Sequence, residues 1–495
     1  MSVRYATLEP VTDPAPPGRR GGVPDPGLTV DDLVRATGGR PLTPSSRAVL
    51  GAAVDSRLVV PGALFVALPG ERTDGHRFVG EAIARGAAAV LVSSEPSAED
   101  VAAAIAAGSA ILAVPDTLRG LWAIAADWRS RFDPLVVGVT GSIAKTSSKE
   151  AIATVLASEL VTLKNEGNQN NEIGLPLTLM RLRPDHQAAV LEMGMYVGGE
   201  IADLARMGRP EIGVVTAVQP VHLSRIGTIE AVEQAKGELV EALPSDGVAI
   251  LNADDERVRR MASRTSARVV TYGFAHDAEV RAEEIVSAGH DGMRFELVTA
   301  VGGAAERRPV AIPTLGRLAV HNALAAATVG LATGIAPDRV AAALALGWEA
   351  PHRGTLLRAG GVTIVDDSYN ASPASVLAAL ELLSGLPGRR VAVLGEMLEL
   401  GEGSEEGHER VGVAAASTVA LLVVVGEGAA GIARGARGAR LPADHVIEVP
   451  DRDAALATLE RRLRDGDVVL VKASRGIELD LLVDALRERL EARGR

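Results

Sequence analysis

Two residue types are used sparingly in this 495-residue chain, and their positions mark where chemistry is expected. Of 51 basic residues only five are lysines, Lys145, Lys149, Lys164, Lys236 and Lys472, and the rest are arginines. Arginine serves wherever a positive charge suffices, so a retained lysine points to a role that needs a compact primary amine. Asparagine is similarly scarce, seven in all, with four between positions 165 and 171. The loop Glu166-Gly-Asn-Gln-Asn-Asn171 carries Asn168, Asn170 and Asn171, dense in amide donors and acceptors that suit a polar substrate or a phosphate. Turn chemistry accounts for one or two of these asparagines but not for four.

The segment Gly138-Val-Thr-Gly-Ser-Ile-Ala-Lys-Thr146 follows an apolar run at 135–139 and leads into a helix expected to start near Ser147. A turn between strand and helix points successive backbone N–H groups at phosphate oxygens, and the helix N-terminus adds favourable dipole charge. Thr140, Gly141, Ser142, Ile143, Ala144, Lys145, Thr146 and Ser147 are the candidate nucleotide contacts. Lys145 would neutralise the β- and γ-phosphates, and the Thr146 hydroxyl would hold Mg²⁺. The usual second glycine is Ala144, which costs about 1 kcal/mol or more if that position has positive φ and almost nothing if it is helical.

Glu192 directly follows the apolar run 188–191, which places a carboxylate at the end of a buried strand where an α/β sheet presents its site. Beside a phosphate loop it is a candidate Mg²⁺ ligand; a capping or ion-paired glutamate is the alternative. His222 lies beyond the run 212–216 at the same edge, either a ligand or a structural histidine. Lys236 sits in an amphipathic stretch, where a solvated face is the ordinary reading. An amine can, however, react with CO₂ to give a carbamate, a long carboxylate able to hold a hard metal ion. A guanidinium cannot, which would explain why lysine was kept there.

The elements that must position these residues can be read in outline. Hydrophobic residues make up 47% and charged residues 23%, enough for large packed cores. The net charge of −12 argues against a nucleic-acid or anionic-membrane binder. The absence of cysteine removes disulfides and thiolate chemistry. No leader-like or membrane-spanning segment is evident, so a cytoplasmic protein without membrane insertion is expected. Residues 1–27, with six prolines, read as a disordered tail, and 28–115 as a small α/β module with strands at 63–68 and 88–92. Block 116–350 repeats strand and helix, with strands at 135–139, 188–191, 212–216, 248–251 and 268–272 and a helix at 228–242. That rhythm implies a largely parallel sheet covered on both faces. Block 351–495 repeats it on a smaller scale, with strands at 390–394, 421–425, 445–449 and 468–471 and a helix at 453–464, Rossmann-like but without the dinucleotide glycine fingerprint.

Taken in order, these motifs resemble the Mur ligase family of ATP-dependent amide-forming enzymes, and within it the D-alanyl-D-alanine-adding branch. The resemblance runs from Leu28 to Leu490. Asp55-Ser-Arg57, Pro61-Gly-Ala-Leu-Phe-Val-Ala-Leu68 and Asp74-Gly-His76 are similar to the module that holds the UDP-sugar. The phosphate loop, Lys149-Glu150, Gly167-Asn-Gln-Asn-Asn171, Leu191-Glu-Met-Gly-Met195, Gly199-Glu-Ile201, His222-Leu223 and Ala235-Lys-Gly-Glu-Leu239 follow. Asn322 matches the adenine-contacting asparagine. Asp366-Asp-Ser-Tyr-Asn-Ala-Ser-Pro373, Gly395-Glu-Met-Leu-Glu-Leu-Gly401 with His408, and Val471-Lys-Ala-Ser-Arg475 complete the set. The departures are Ala144 and Ala473 for glycine, Ala217 for asparagine, and Ser372 for the second asparagine of an Asn-Ala-Asn-Pro element.

The resemblance implies an α/β, three-domain architecture: an N-terminal UDP-sugar domain (28–115), a central P-loop parallel-sheet ATPase domain (116–350) and a C-terminal Rossmann-like domain (351–495). It implies a monomer that uses ATP to join D-alanyl-D-alanine to UDP-N-acetylmuramoyl-tripeptide through an acyl phosphate, in the synthesis of the peptidoglycan precursor. Thr146 and Glu192 would hold one Mg²⁺, and His222 and a carbamate on Lys236 a second. Substrate contacts would come from Ser56, Arg57, Asp74, His76, Asn168, Asn170, Asn171, Asp367, Tyr369, Asn370, Lys472 and Arg475, the last two alternatively as structural ion pairs. Another amide ligase of this architecture, with a different amine, and a nucleotide-binding homologue with impaired catalysis are the other readings. A simple P-loop kinase would need neither Lys236 nor two further α/β domains.

Overall fold

The computed structural model describes residues 27–70, 73–220, 223–300 and 305–493. All but the last residue of the expected disordered tail, and the candidate ligand His222, lie outside the described residues. Three separate sheets organise the chain. A five-stranded sheet runs in the order Arg40–Pro41, Ala110–Ala113, Ala89–Val92, Leu64–Val66, Ala52–Ala53, all parallel except at its Arg40–Pro41 edge.

The central sheet has nine strands. Six are parallel, in the order Arg268–Gly273, Val248–Asn252, Ile212–Val215, Leu135–Thr140, Ala188–Glu192, Thr162–Lys164. Val280–Ser287 joins Arg268–Gly273 in parallel, and Met293–Thr299 and Glu306–Ile312 continue outward as an antiparallel meander. The repeated strand–helix pattern does not show this meander, because its residues alternate between buried apolar and outward polar positions, as in Met293, Arg294, Phe295, Glu296, Leu297. The third sheet has six strands, Thr355–Ala359, Val362–Asp366, Asp467–Lys472, Arg389–Gly395, Leu421–Val425 and Val446–Val449, parallel except for the first.

Local sequence fixes the element ends. The Thr228 hydroxyl accepts from the Ala231 N–H and starts the helix Ile229–Glu241 that carries Lys236. Ser372 caps Pro373–Ser384 reciprocally with Ser375, so serine does the capping that asparagine would do in its place. The Ala473 departure is accommodated because Gly395 faces it: a Cβ on Gly395 would approach the Ala473 methyl to 2.7 Å. The helix after the phosphate loop, Lys145–Ala157, begins two residues earlier than the sequence suggests, which puts Lys145 and Thr146 in its first turn.

The first two sheets share one apolar cluster. Leu64, Leu91 and Leu112 pack through Leu121, Ile124 and Ala125 of the helix Thr117–Arg129 to Leu179, Leu191 and Leu204. That helix is pinned on both sides: Thr117 Oγ1 donates to the Ala67 carbonyl, and Trp122 and Trp128 donate their indole N–H to the carbonyls of Glu172 and Leu182. A linker boundary at 115/116 therefore separates two sheets that share one core between them, each keeping a further cluster of its own. Replacing the fully buried Leu121 by alanine should cost about 2–5 kcal/mol and lower the unfolding transitions of both sheets together. Denaturant titration followed by hydrogen exchange in each sheet checks this; loss of protection confined to one sheet would contradict a shared core.

Candidate active site

The phosphate loop is stitched to the neighbouring strand end. The Ser142 N–H donates to the Ala217 carbonyl (2.7 Å), the Ser142 hydroxyl donates to the Gln219 carbonyl (3.0 Å), and Thr216 Oγ1 donates to the Ile143 carbonyl (2.6 Å). At position 217 the chain uses only backbone, which is why alanine serves there. Gly141 lies against Thr216 so closely that a Cβ would overlap its hydroxyl. Ala144 has φ 67°, left-handed, so its methyl strains the loop by about 1–2 kcal/mol relative to right-handed backbone. Thr140 turns its hydroxyl to the Met193 carbonyl (2.8 Å), tying two strands together within the sheet. Lys145 folds back on the loop, its Nζ 2.6 Å from the Gly141 carbonyl and 3.4 Å from that of Ser142. Burial lowers its pKa, the charge of Arg353 adds to this, and that of Glu192 opposes it. Ser148 donates to Oδ1 of Asn322 (3.0 Å), which fixes that amide beside the loop.

Glu192 closes its strand and is buried. Its Oε1 accepts from Asn170 Nδ2 (2.7 Å), while Oε2 is buried with no hydrogen-bond partner among the described residues. A buried carboxylate oxygen left open is costly unless a ligand completes it. Lys236 is buried as well, and no hydrogen bond or ion pair joins its Nζ to the described residues. Burial, with the nearby charge of Lys145 adding to it, holds its pKa well below the ordinary lysine value, which favours the uncharged, nucleophilic amine. Glu238, in the same motif, is structural. Its carboxylate accepts from the N–H groups of Gly199 and Ala202 and caps the helix Glu200–Gly208.

The third sheet supplies the opposite wall. Lys472 Nζ lies 2.7 Å from Asp367 Oδ2 and 2.8 Å from the Asn370 carbonyl. Burial pushes the Asp367 carboxyl up against the opposing pull of Lys472. The Tyr369 ring has two guanidinium groups over it, Arg353 at 4.1 Å and Arg475 at 5.2 Å. Arg475 also pairs with Asp480 (3.0 Å). Lys145, Ser147, Asn322, Arg353, Asp367, Tyr369, Asn370, Lys472 and Arg475 line one cavity of about 640 Å³ between the second and third sheets. Sequence alone does not single out Arg353. It stands in Pro351-His-Arg-Gly354 at the junction of the two blocks, and in a chain so rich in arginine nothing distinguishes it. Its neighbour His352 has φ 59° and bonds Asp366 through Nδ1 (2.8 Å), which anchors that junction.

The remaining candidates fall elsewhere. Asn171 Oδ1 accepts from the Gly174 N–H (2.9 Å) and supports the start of Gly174–Leu179, while Asn168 offers its carbonyl to the Asn170 N–H (2.7 Å). Ser56, Arg57, Asp74 and His76 stand on the first sheet, away from the cavity lining. The Ser56 hydroxyl donates to Glu81 (2.9 Å), and Arg57 pairs with Asp55 (2.6 Å), whose carboxyl it holds down to about 2. The Ser93 N–H donates to His76 Nε2 (2.9 Å), so His76 carries its proton on Nδ1 and donates to Asp74 (2.6 Å).

Among the described residues no three Asp, Glu or His side chains gather into a self-contained metal cage. A magnesium ion is nonetheless well matched here, because it takes one or two protein oxygens and completes its shell with water and substrate phosphates. The open Glu192 Oε2 and the Thr146 hydroxyl beside the phosphate loop are such a pair.

Three family models match the chain: the Mur ligase family catalytic domain at residues 50–129, the Mur ligase middle domain at 139–330, and the Mur ligase glutamate ligase domain at 352–475. The UDP-N-acetylmuramoyl-tripeptide--D-alanyl-D-alanine ligase of Mycobacterium tuberculosis is 38% identical, over 93% of this chain and 97% of that protein. The MurF structure from Acinetobacter baumannii superposes with a TM-score of 0.81 at 27% identity, covering 94% of this chain and 99% of that one. The MurF ligase of Thermotoga maritima in complex with ADP gives 0.78 at 28% identity, covering 90% and 98%.

The buried amine at 236 destabilises the fold to a measurable extent. Its folded pKa is depressed, so between that value and the ordinary lysine range above about 10 the unfolded chain binds the extra proton and stability rises with pH. In bicarbonate-free buffer Lys236→Met should therefore melt higher than the parent at neutral pH, and the gain should shrink as pH is raised toward about 10. Thermal scans across pH check this, and a gain independent of pH would contradict it.

Proposed function

This chain belongs to the Mur ligase family, and from that premise we propose that it uses ATP to join D-alanyl-D-alanine to UDP-N-acetylmuramoyl-tripeptide. One observation carries the reading. The phosphate loop, with Lys145, faces the Asp367, Tyr369, Asn370 and Lys472 cluster of the third sheet across one cavity, and behind it Glu192, close enough for its charge to act on Lys145, keeps an open carboxylate oxygen.

The γ-phosphate takes the place of the Gly141 carbonyl as partner of Lys145, and Asn322 meets the adenine. Thr146 and Glu192 would hold the magnesium ion, which would neutralise phosphate charge. The tripeptide carboxylate attacks the γ-phosphorus; ADP leaves and an acyl phosphate forms. The ammonium group of the dipeptide is received at Asp367 and gives one proton to that carboxylate, and the free amine attacks the acyl carbon. The tetrahedral intermediate expels phosphate, which carries away the second amine proton, leaving an amide and completing the pentapeptide precursor. Lys145, Arg353 and Lys472 balance the negative charge that builds up along this path. Enclosure between the two sheets keeps out the water that would hydrolyse the acyl phosphate. Ser56, Arg57, Asp74 and His76, on the first sheet, are assigned to the UDP-sugar.

The Lys236 amine attacks CO₂, an N–C bond forms and one proton is released. The resulting carbamate would convert a buried, unpartnered base into a buried anion beside Lys145 and, with His222, would hold a second magnesium ion.

Phosphate release from ATP and Mg²⁺ should require both UDP-N-acetylmuramoyl-tripeptide and D-alanyl-D-alanine and should yield a product heavier by one dipeptide residue. Glu192→Gln should lower kcat by at least about 100-fold. Release with the tripeptide and a different amine, but none with D-alanyl-D-alanine, would reassign the acceptor. ATP binding with no release under any pairing would sink the ligase reading.

A further inference from the structure

Two of the five lysines, Lys149 and Lys164, take no part in the chemistry above, and neither does Glu150. Lys149 is fully buried one turn beyond Lys145 on the helix Lys145–Ala157. Its Nζ lies 2.7 Å from Glu150 Oε1 and donates to the Asn165 carbonyl at 2.7 Å. Glu150 also pairs with Lys164, whose side chain is half exposed. Asn165 in turn grips both backbone groups of Glu192: its Oδ1 accepts from the Glu192 N–H (2.9 Å), and its Nδ2 donates to the Glu192 carbonyl (3.1 Å). The same Nδ2 donates to the Gln169 carbonyl (2.8 Å), and the loop returns to set Asn170 against Glu192 Oε1 and to accept the Gly194 N–H on the Asn170 carbonyl (2.7 Å).

We propose that Lys149 is a positioning residue that acts through Asn165 to hold Glu192 in place with its Oε2 left open for a metal ion. The helix that carries Lys149 also carries Thr146, so one buried ammonium ties together the two elements that supply the protein's oxygens to the metal. This rests on the proposed function only in taking Glu192 as a magnesium ligand. It also accounts for the residue type. An ammonium group reaching one carboxylate and one carbonyl in a fully buried space uses two of its three donors, whereas a planar guanidinium would bring five N–H groups that find too few acceptors there. Glu150 compensates the buried charge, and removing it would strand Lys149, whereas Glu150 without Lys149 keeps Lys164.

Mn²⁺ binding to the full chain in the presence of AMP-PNP, followed by electron paramagnetic resonance, tests the relay apart from turnover. Lys149→Met should weaken Mn²⁺ by about 10–100-fold while metal-free AMP-PNP binds as in the parent, and Lys149→Arg should not restore the metal affinity. If Lys149→Met does not fold, Asn165→Asp removes the donor to the Glu192 carbonyl at nearly constant shape and should give the same loss. Lowered melting temperature with parental Mn²⁺ affinity in the folded variants would reduce Lys149 to a packing role and overturn the proposal. So would parental Mn²⁺ affinity in Glu192→Gln. Tight, Glu192-dependent Mn²⁺ binding in a chain that performs no ligation would instead overturn the ligase reading and leave the relay standing.

Discussion

The site is governed by positive charge that the protein does not neutralise. Lys145 has only two loop carbonyls for partners, and Lys236 has no partner among the described residues. The charge of Lys145 further lowers the readiness of Lys236 to hold a proton. Arg353 adds a second positive group to the field of Lys145. Against them stands Glu192, with one of its two oxygens open. Such an arrangement is poor as a resting structure and well suited to an anionic ligand, because a polyphosphate, a metal ion and a carbamate supply the missing partners together. The lysines that are neutralised, Lys149 by Glu150 and Lys472 by Asp367, stand where the fold needs a fixed strut.

Holding that charge in place requires rigid elements on either side of the cavity. The first two sheets share a core through the helix Thr117–Arg129, so the phosphate loop is anchored to a body larger than its own sheet. The third sheet meets it through the junction at His352 and Arg353, where a left-handed residue and the bond to Asp366 set the direction of the chain. A hinge placed there would carry Asp367, Tyr369 and Lys472 toward or away from Lys145 as one unit.

Much of this was legible in the sequence because the residues concerned had few reasons to be there. Rare lysines and asparagines marked the phosphate loop, the 165–171 loop and Lys236, and buried apolar runs marked the parallel strands. The phosphate loop and Asp367, Tyr369 and Asn370 line one cavity, and the charge of Glu192 reaches Lys145. Three things were hidden. Arg353 is one arginine among many, so scarcity could not single it out. The antiparallel strand Met293–Thr299 alternates polar and apolar residues over its first half and resembles a surface segment. The different roles of the asparagines depend on which amide faces which strand: Asn170 meets the Glu192 carboxylate and Asn165 its backbone, whereas Asn171 serves a helix end. The cost at Ala144 could be posed from sequence as a question of φ, and the left-handed value answers it.

The central claim is that Lys236 is kept uncharged so that it can take up CO₂. Carbon-13 NMR of the enzyme equilibrated with ¹³C-bicarbonate tests it most directly. The account predicts one protein-bound carbamate resonance, lost in Lys236→Met and retained in Lys149→Arg. A spectrum with no carbamate signal in the parent, or one that survives in Lys236→Met, would contradict it.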